Sequence, residues 1–357
     1  MIRAVHQLVA GFSKGDAISN ESRYFRDLFR GWGLKSEIYC ETHRVLPEFR
    51  REVNEVTAYR PDAETLTFLH LSMGSVANDI FARTPGPKAL LYHNVTPAEF
   101  FAAVQPQTAQ FLAWGRKQMQ QLAGVADLNM ADSRFNAAEL EAAGYRDVSV
   151  MPLVLDFTHL DGRPDPALLR EYRDGRANIL FVGRFAPNKC IDDLVLLFAH
   201  YHRHINRDAR LLHVGSYAGT ETYAGLVRSL ARKQGVGSDC IFYGSARQDQ
   251  LRAFYRAADL FLCTSEHEGF CIPLLEAMHF DVPILAFDAG AVGETLGGSG
   301  VLYREKDLHH VAEMMHRMLT DESLRHALIE KQRARLRRYR EQNLEKRLKE
   351  QLQPLLG

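Results

Sequence analysis

Two short stretches hold residue types able to grip an anion beside a polyol. The first is Thr264-Ser265-Glu266-His267-Glu268-Gly269-Phe270-Cys271-Ile272-Pro273-Leu274-Leu275-Glu276. An apolar run, Leu260 to Cys263, enters this glycine-containing loop, and Pro273 then opens a helix, proline being favoured at the first helical position. Free amides and the positive end of the helix dipole at such a start favour an anion, phosphate first among them. Glu268 lies in the loop and Glu276 in the helix's first turn. Seven residues separate them, so they share no helical face and reach different parts of a long ligand. A carboxylate accepts hydrogen bonds from the paired hydroxyls of a ribose or a hexose. The second stretch, Phe181-Val182-Gly183-Arg184-Phe185-Ala186-Pro187-Asn188-Lys189, sets two cations just past a strand end. There a topological switch in an open sheet receives ligand phosphates, and fixed cations stabilise a departing diphosphate. Taken singly, each residue has a plainer reading: Glu276 complements a helix dipole, and Arg184 is a surface charge. The combination points to a site.

The elements that must hold these residues alternate apolar strand-like runs with helical periodicity, the pattern of parallel sheets with crossover helices. In the first half the strands are predicted at 3–9, 36–40, 66–71, 89–93, 126–130 and 148–151. A helix over 20–32 carries the stripe Phe25, Leu28, Phe29 and Trp32 at i, i+3, i+4 and i+7, with Gly33 beyond it. A second series has strands at 179–182, 211–214, 240–243, 260–263, 283–287 and 301–303, with helices at 192–204, 222–234, 248–257, 273–280 and 308–319. Strands apolar on both faces imply doubly wound sheets. Between the series, 153–174 is proline-containing, charged and aperiodic, and reads as a linker. We therefore expect a domain over 1–160, a second over 175–334, a cleft at the strands' carboxyl ends, and a basic tail over about 335–357 that packs back on the first domain.

Length and composition bound the rest. The chain has 357 residues, 46% hydrophobic and 25% charged, enough for two cores. Lys plus Arg and Asp plus Glu both total 44, so nothing advertises a nucleic-acid partner. No apolar run approaches the ~20 residues that cross a bilayer, and no signal peptide is evident. Five scattered cysteines lack metal-ligand spacing and read as reduced cytoplasmic thiols. The basic tail, 331–349, is either a solvated helix or a peripheral contact with the inner face of the plasma membrane.

The second half resembles the retaining glycosyltransferases of family 4, which have the α/β GT-B fold of two facing Rossmann-like domains with a cleft between them. The residues that carry this are Gly183-Arg184 and Lys189, Gly215 after the 211–214 strand, Gly244 before the 248–257 helix, and the Glu268 to Glu276 signature. The first half agrees more loosely, through Gly15-Asp16-Ala17-Ile18 and Tyr92-His93-Asn94. The resemblance implies that Arg184 and Lys189 hold the donor diphosphate and that Glu276 binds the ribose. Glu268 contacts the donor sugar, helped by main-chain amides around Gly269, Phe270, Cys271 and Ile272. His93 approaches the sugar from the other domain. Gly15 and its neighbours let backbone come close to the phosphates, as a residue without Cβ permits, Gly183 and Gly215 belong to the donor site, and Asp16 serves that site or caps the following helix. Cys271 departs from the family, which often has glycine there.

The implied activity is a metal-independent hexosyl transfer, mannose from GDP-mannose being preferred, from a nucleotide-sugar co-substrate to a glycan or lipid-linked glycan, as in bacterial surface polysaccharide and lipopolysaccharide synthesis. No cofactor and no metal site is expected. No pair of aspartates one residue apart is present to hold a divalent cation, and neither a three-glycine dinucleotide fingerprint nor a Lys-Ser/Thr phosphate loop occurs. The alternatives are a nucleotide-sugar epimerase of the same fold, or a non-catalytic nucleotide-sugar-binding scaffold.

Overall fold

Buried, β-branched strands dictate two all-parallel sheets. In the computed structural model, which describes residues 1–13 and 15–357, β1 (Ala4–Val9), β2 (Ile38–Cys40), β3 (Asn54–Glu55), β4 (Thr65–Leu71), β5 (Lys88–Tyr92), β6 (Leu128–Ala131) and β7 (Ser149–Val150) form one sheet in the order β3-β2-β1-β4-β5-β6-β7. All seven residues of β4 are buried, as expected of a strand covered on both faces. A second sheet holds β8 (Ala177–Val182), β9 (Ala209–Val214), β10 (Cys240–Gly244), β11 (Leu260–Cys263), β12 (Ile284–Phe287) and β13 (Val301–Tyr303), ordered β10-β9-β8-β11-β12-β13. Every pairing in both sheets is parallel. In each sheet the strand order reverses beside its first strand, at β1/β4 and at β8/β11. These are the switch points where open α/β sheets take ligands.

The chain divides into two compact units, 1–102 with 106–155 and 343–357, and 103–105 with 156–342. The stretch expected as a linker is partly structured: a 3₁₀ turn, Phe157–Leu160, and a helix, Pro166–Tyr172, capped by Asp165, both belong to the second unit. The return to the first unit comes at 343 rather than near 335. The helix Glu322–Arg340 runs through that position, and Arg335 donates to the carbonyls of Thr295 and Glu294. Only the last helix, Leu344–Leu356, packs on the first unit, burying Leu344, Leu348 and Leu352, and the Ile2 amide donates to the Leu356 carbonyl at 3.1 Å.

In the first unit the predicted aromatic stripe lies on the helix Ala17–Gly31, where Phe25 and Phe29 are fully buried and Phe25 meets Phe68 of β4 edge-on at 5.7 Å. In the second unit Phe181, Phe185, Phe198, Phe254 and Phe261 form the corresponding large buried side chains. Truncating any of these to alanine costs about 3–5 kcal/mol. Among the described residues, no helix is long and apolar enough to cross a membrane.

Candidate active site

In the second unit, the loops after β8 and β11 are stitched together before any side-chain chemistry begins. The Glu266 amide donates to the Asn188 carbonyl at 2.9 Å, and the buried Asn188 side chain donates back to the His267 carbonyl at 3.0 Å. The Thr264 hydroxyl reaches the carbonyls of Lys189 and Cys190. This lacing delivers Lys189 to Glu268: Nζ lies 2.6 Å from both carboxylate oxygens, with the side chains 21% and 8% exposed. Burial works against the Lys189 charge, but the Glu268 carboxylate overrides it and holds the ammonium above its ordinary pKa. The two residues expected to hold phosphate and sugar separately are thus each other's partner. Arg184 is exposed and, among the described residues, makes no ion pair.

The helix after β11 runs Ile272–His279, one residue ahead of expectation, so Pro273 is in its first turn but Glu276 is not. This corrects the placement of Glu276, which has moved onto the second turn and faces inward. Its Oε2 accepts from the Tyr255 hydroxyl at 2.7 Å, and Oε1 lies 3.7 Å from His159 Nε2. That contact, ahead of the opposing effect of burial, raises the His159 pKa. The residue before the helix, Cys271, adopts the left-handed region at φ 70° and offers no side-chain cap, so the amides at the helix start are not spent on a capping side chain. Gly269 and Phe270 are half-buried in the loop leading to it. Cys263, Glu268 and Cys271 hold donor atoms within 4.8 Å of one another, although Glu268 is committed to Lys189.

Gly183 and Gly215 meet at the ends of β8 and β9. A Cβ on Gly215 would lie 1.7 Å from the Gly183 carbonyl oxygen, so no other residue fits while the Gly183 amide bonds Val214 and the Phe185 amide bonds Ser216. Gly290 was not anticipated. At φ 56°, its absent Cβ would sit 2.4 Å from the Glu268 carbonyl oxygen, which also accepts from the Ala291 amide. Backbone from the β12 loop therefore presses directly on Glu268.

In the first unit, Asp16 caps the helix Ala17–Gly31, accepting from the Ser19 amide at 2.9 Å and its hydroxyl at 2.7 Å. Gly15 has φ 73° and open space where its Cβ would be, so a left-handed turn demands the glycine there, not a close neighbour. His93 follows β5, its amide bonded to the Leu71 carbonyl, and its imidazole is 2% exposed. Its Nε2 lies 2.9 Å from His70 Nδ1 and 3.5 Å from Glu21 Oε2, and its Nδ1 lies 3.5 Å from Asp132 Oδ2. Burial opposes its charge, but the carboxylates of Asp132 and Glu21 prevail and raise its pKa. Burial, then the His93 charge, hold His70 neutral, while burial pushes Glu21 up to about 7. The sequence reading singled out His93 alone; Gln7, Glu21, His70 and Asp132, on four other segments, surround it.

Residues 171–335 match the family model of glycosyl transferases group 1. The chain is 31% identical over 219 residues to a D-inositol 3-phosphate glycosyltransferase of Nocardia farcinica, covering 58% of this chain and 47% of that protein. It is 28% identical over 249 residues to a GDP-mannose-dependent alpha-mannosyltransferase of Mycobacterium tuberculosis, covering 69% and 59%. The chain thus spans about half the length of the curated relatives it matches. A sucrose-phosphate synthase from Thermosynechococcus elongatus superposes with a TM-score of 0.77 over 99% of both chains at 16% identity. The fold is GT-B.

Proposed function

We propose that this protein is a retaining glycosyltransferase of family 4 that moves a hexose from a nucleoside-diphosphate sugar to a hydroxyl of a glycan or lipid-linked glycan, without a metal cofactor. The observation that carries this is the Lys189–Glu268 pair beside a helix start with no side-chain cap, at the β8/β11 switch point, inside the segment that matches group 1 glycosyl transferases. In this reading the diphosphate takes the place of Glu268 as partner for Lys189, and Arg184 supplies the second cation. The amides from Gly269 through Ile272 receive the anion at the helix start. Glu268, released from Lys189, accepts hydroxyls of the sugar. Glu276, oriented by Tyr255, accepts those of the ribose. Gly183 and Gly215 keep the floor of the phosphate site down to backbone. The family resemblance assigns His93 to the sugar hydroxyls, and, with burial opposing, the nearby carboxylates of Asp132 and Glu21 raise its pKa. As the leaving group departs, Lys189 and Arg184 stabilise its negative charge, the interaction that grows most in the transition state.

The mannosyltransferase relative favours GDP-mannose as donor, and bacterial surface polysaccharide synthesis gives such an acceptor. Several tail cations have partners, Arg333 with Asp281 and Arg340 with His279, so peripheral membrane contact would fall to the remaining ones, such as Arg337 and Arg338. The test incubates purified protein with GDP-mannose, UDP-glucose and UDP-N-acetylglucosamine against a panel of glycan acceptors. Nucleoside diphosphate release and the anomeric configuration of the product are followed by NMR. Transfer with retention is expected; neither transfer nor slow donor hydrolysis across the panel would overturn the assignment.

A further inference from the structure

The imidazole facing Glu276 has its protonation pattern set by its own turn. His159 sits in the 3₁₀ turn Phe157–Leu160, whose cap, Asp156, accepts from the Thr158 amide and hydroxyl, each at 2.8 Å. Leu160 is fully buried, and Phe157 stacks on His279 with ring centroids 6.5 Å apart. Arg252 donates to the carbonyls of His159 and Arg163 at 2.7 and 3.2 Å. The turn is therefore pinned against the helices Gln248–Ala257 and Ile272–His279. Within it, His159 Nδ1 meets the Asp156 carbonyl, which can only accept, so Nδ1 keeps its proton whether the ring is neutral or charged. A neutral His159 then presents a bare lone pair at Nε2, and only the imidazolium presents an N–H there. Nε2 faces Glu276 Oε1 at 3.7 Å. Beside a carboxylate, the charged form is the one that pairs.

Glu276 offers a ribose less than a whole carboxylate. Its Oε2 already accepts from the Tyr255 hydroxyl at 2.7 Å, which leaves Oε1 as the freer oxygen. A ribose diol brings two hydroxyl donors on adjacent carbons, so a second acceptor beside Oε1 completes the grip. His159 Nε2 stands there, and the pair is open to a ligand, the side chains being 38% and 12% exposed. We propose that His159 is a second ribose ligand, taking one hydroxyl of the diol on neutral Nε2 while Glu276 Oε1 takes the other, so that nucleotide binding expels the Nε2 proton to solvent. This rests on the assignment of Glu276 to the ribose made above. In the free protein Glu276 and Asp156 hold that proton in place against burial. Of the other charged groups around the turn, Arg252 is spent on backbone carbonyls, and His279 faces Asp161 at 3.5 Å and Arg340 at 2.7 Å. The nucleotide thus competes with a proton: its affinity rises with pH while free His159 is charged, and levels off once it is neutral.

Calorimetry of the full-length protein tests this with UDP, GDP and their 2′,3′-dideoxy forms, each in two buffers of different ionisation enthalpy. The difference in heat between buffers counts protons released. Protons lost by the terminal phosphate are common to each ribo and dideoxy pair and cancel. At about pH 6 the nucleotide that binds should release up to about one proton more than its dideoxy form, and at about pH 8 this excess should vanish. Over the same interval its affinity, relative to the dideoxy form, should tighten by roughly 10-fold. His159→Gln keeps a polar side chain that cannot titrate, so it should abolish the excess proton and flatten the profile; circular dichroism checks its fold. Should that variant not fold, the ribo and dideoxy comparison on the parent decides alone. Should a dideoxy form bind too weakly to count, the comparison of parent with His159→Gln measures the same proton. Nucleotide binding with equal proton counts, or with an excess that survives in His159→Gln, would overturn the role of His159 and leave Glu276 on the ribose. Binding of neither UDP nor GDP would overturn both.

Discussion

Replacing Lys189 by methionine tests whether the second unit is built around an ion pair that its ligand must later open. The ammonium sits 2.6 Å from both oxygens of a carboxylate that is only 8% exposed. Removing one partner of a buried pair leaves the other charge without compensation, at a cost of about 3–5 kcal/mol. For a unit of this size each kcal/mol lowers the melting temperature by about 2–4 °C, so Lys189→Met should drop the second unit's transition by roughly 6–20 °C. Glu268→Gln alone should cost less, about 1–3 kcal/mol, because Lys189 is more exposed than its partner and can turn toward water. The double variant Lys189→Met, Glu268→Gln removes both charges and the penalty with them. It should lie above Lys189→Met alone, giving a coupling energy of about 2–3 kcal/mol across the cycle. Calorimetry of the four full-length proteins measures this. If the two single effects add to within about 0.5 kcal/mol in the double variant, the pair is not coupled and the reasoning fails. Transfer should be lost in all three variants, including the double one whose stability is restored, because the same two side chains are assigned to the donor.

Three further outcomes follow from buried contacts. His213 of β9 is fully buried against Phe181 and Phe185, finds no hydrogen-bond partner among the described residues, and has its pKa lowered to about 3 by burial. The unfolded chain protonates first, so stability is full above pH 6.5 and lost from there down toward pH 3. At pH 4.5 the loss from this residue is about 2–3 kcal/mol, and His213→Phe should flatten that part of the urea-midpoint profile; an unchanged slope would refute it. Gly215→Ala drives a Cβ to within 1.7 Å of the Gly183 carbonyl and should weaken GDP and UDP binding by calorimetry, with a stability loss above about 3 kcal/mol; binding equal to the parent would show the glycine contact to be irrelevant. Tyr255→Phe removes the 2.7 Å hydrogen bond to Glu276 and should cost about 1.5–3 kcal/mol while raising the donor KM more than it lowers kcat; a fall in kcat alone would place Glu276 away from the ribose.

What was legible in the sequence divides along a physical line. Sheet strands announce themselves through apolar runs, and 260–263 coincides with β11 because a strand buried at all four positions tolerates little else; 301–303 coincides with β13, a half-buried edge strand that is apolar all the same. The pair Asn54–Glu55 had no such run and passed unnoticed; as an edge strand of two residues it needs none. Glycine signals were visible but ambiguous: Gly15 and Gly215 look alike in the chain, yet one answers a backbone angle and the other a backbone collision. The larger gap concerns partnership. Lys189 and Glu268 were each legible as site residues, but their mutual bond depends on Asn188 and Thr264 lacing two loops 79 residues apart. Likewise Gln7 and His70 lie on β1 and β4, His93 just past β5 and Asp132 just past β6, and only the order β1-β4-β5-β6 makes neighbours of them. A parallel sheet delivers its strand ends to one edge in an order unrelated to chain order. Polar residues near those ends are therefore each readable singly as ordinary strand termini, and become chemistry only once the order is known. For this chain, the sequence located the helix start and the cations; the sheet order brought Asp132 and the second imidazole, His70, to His93.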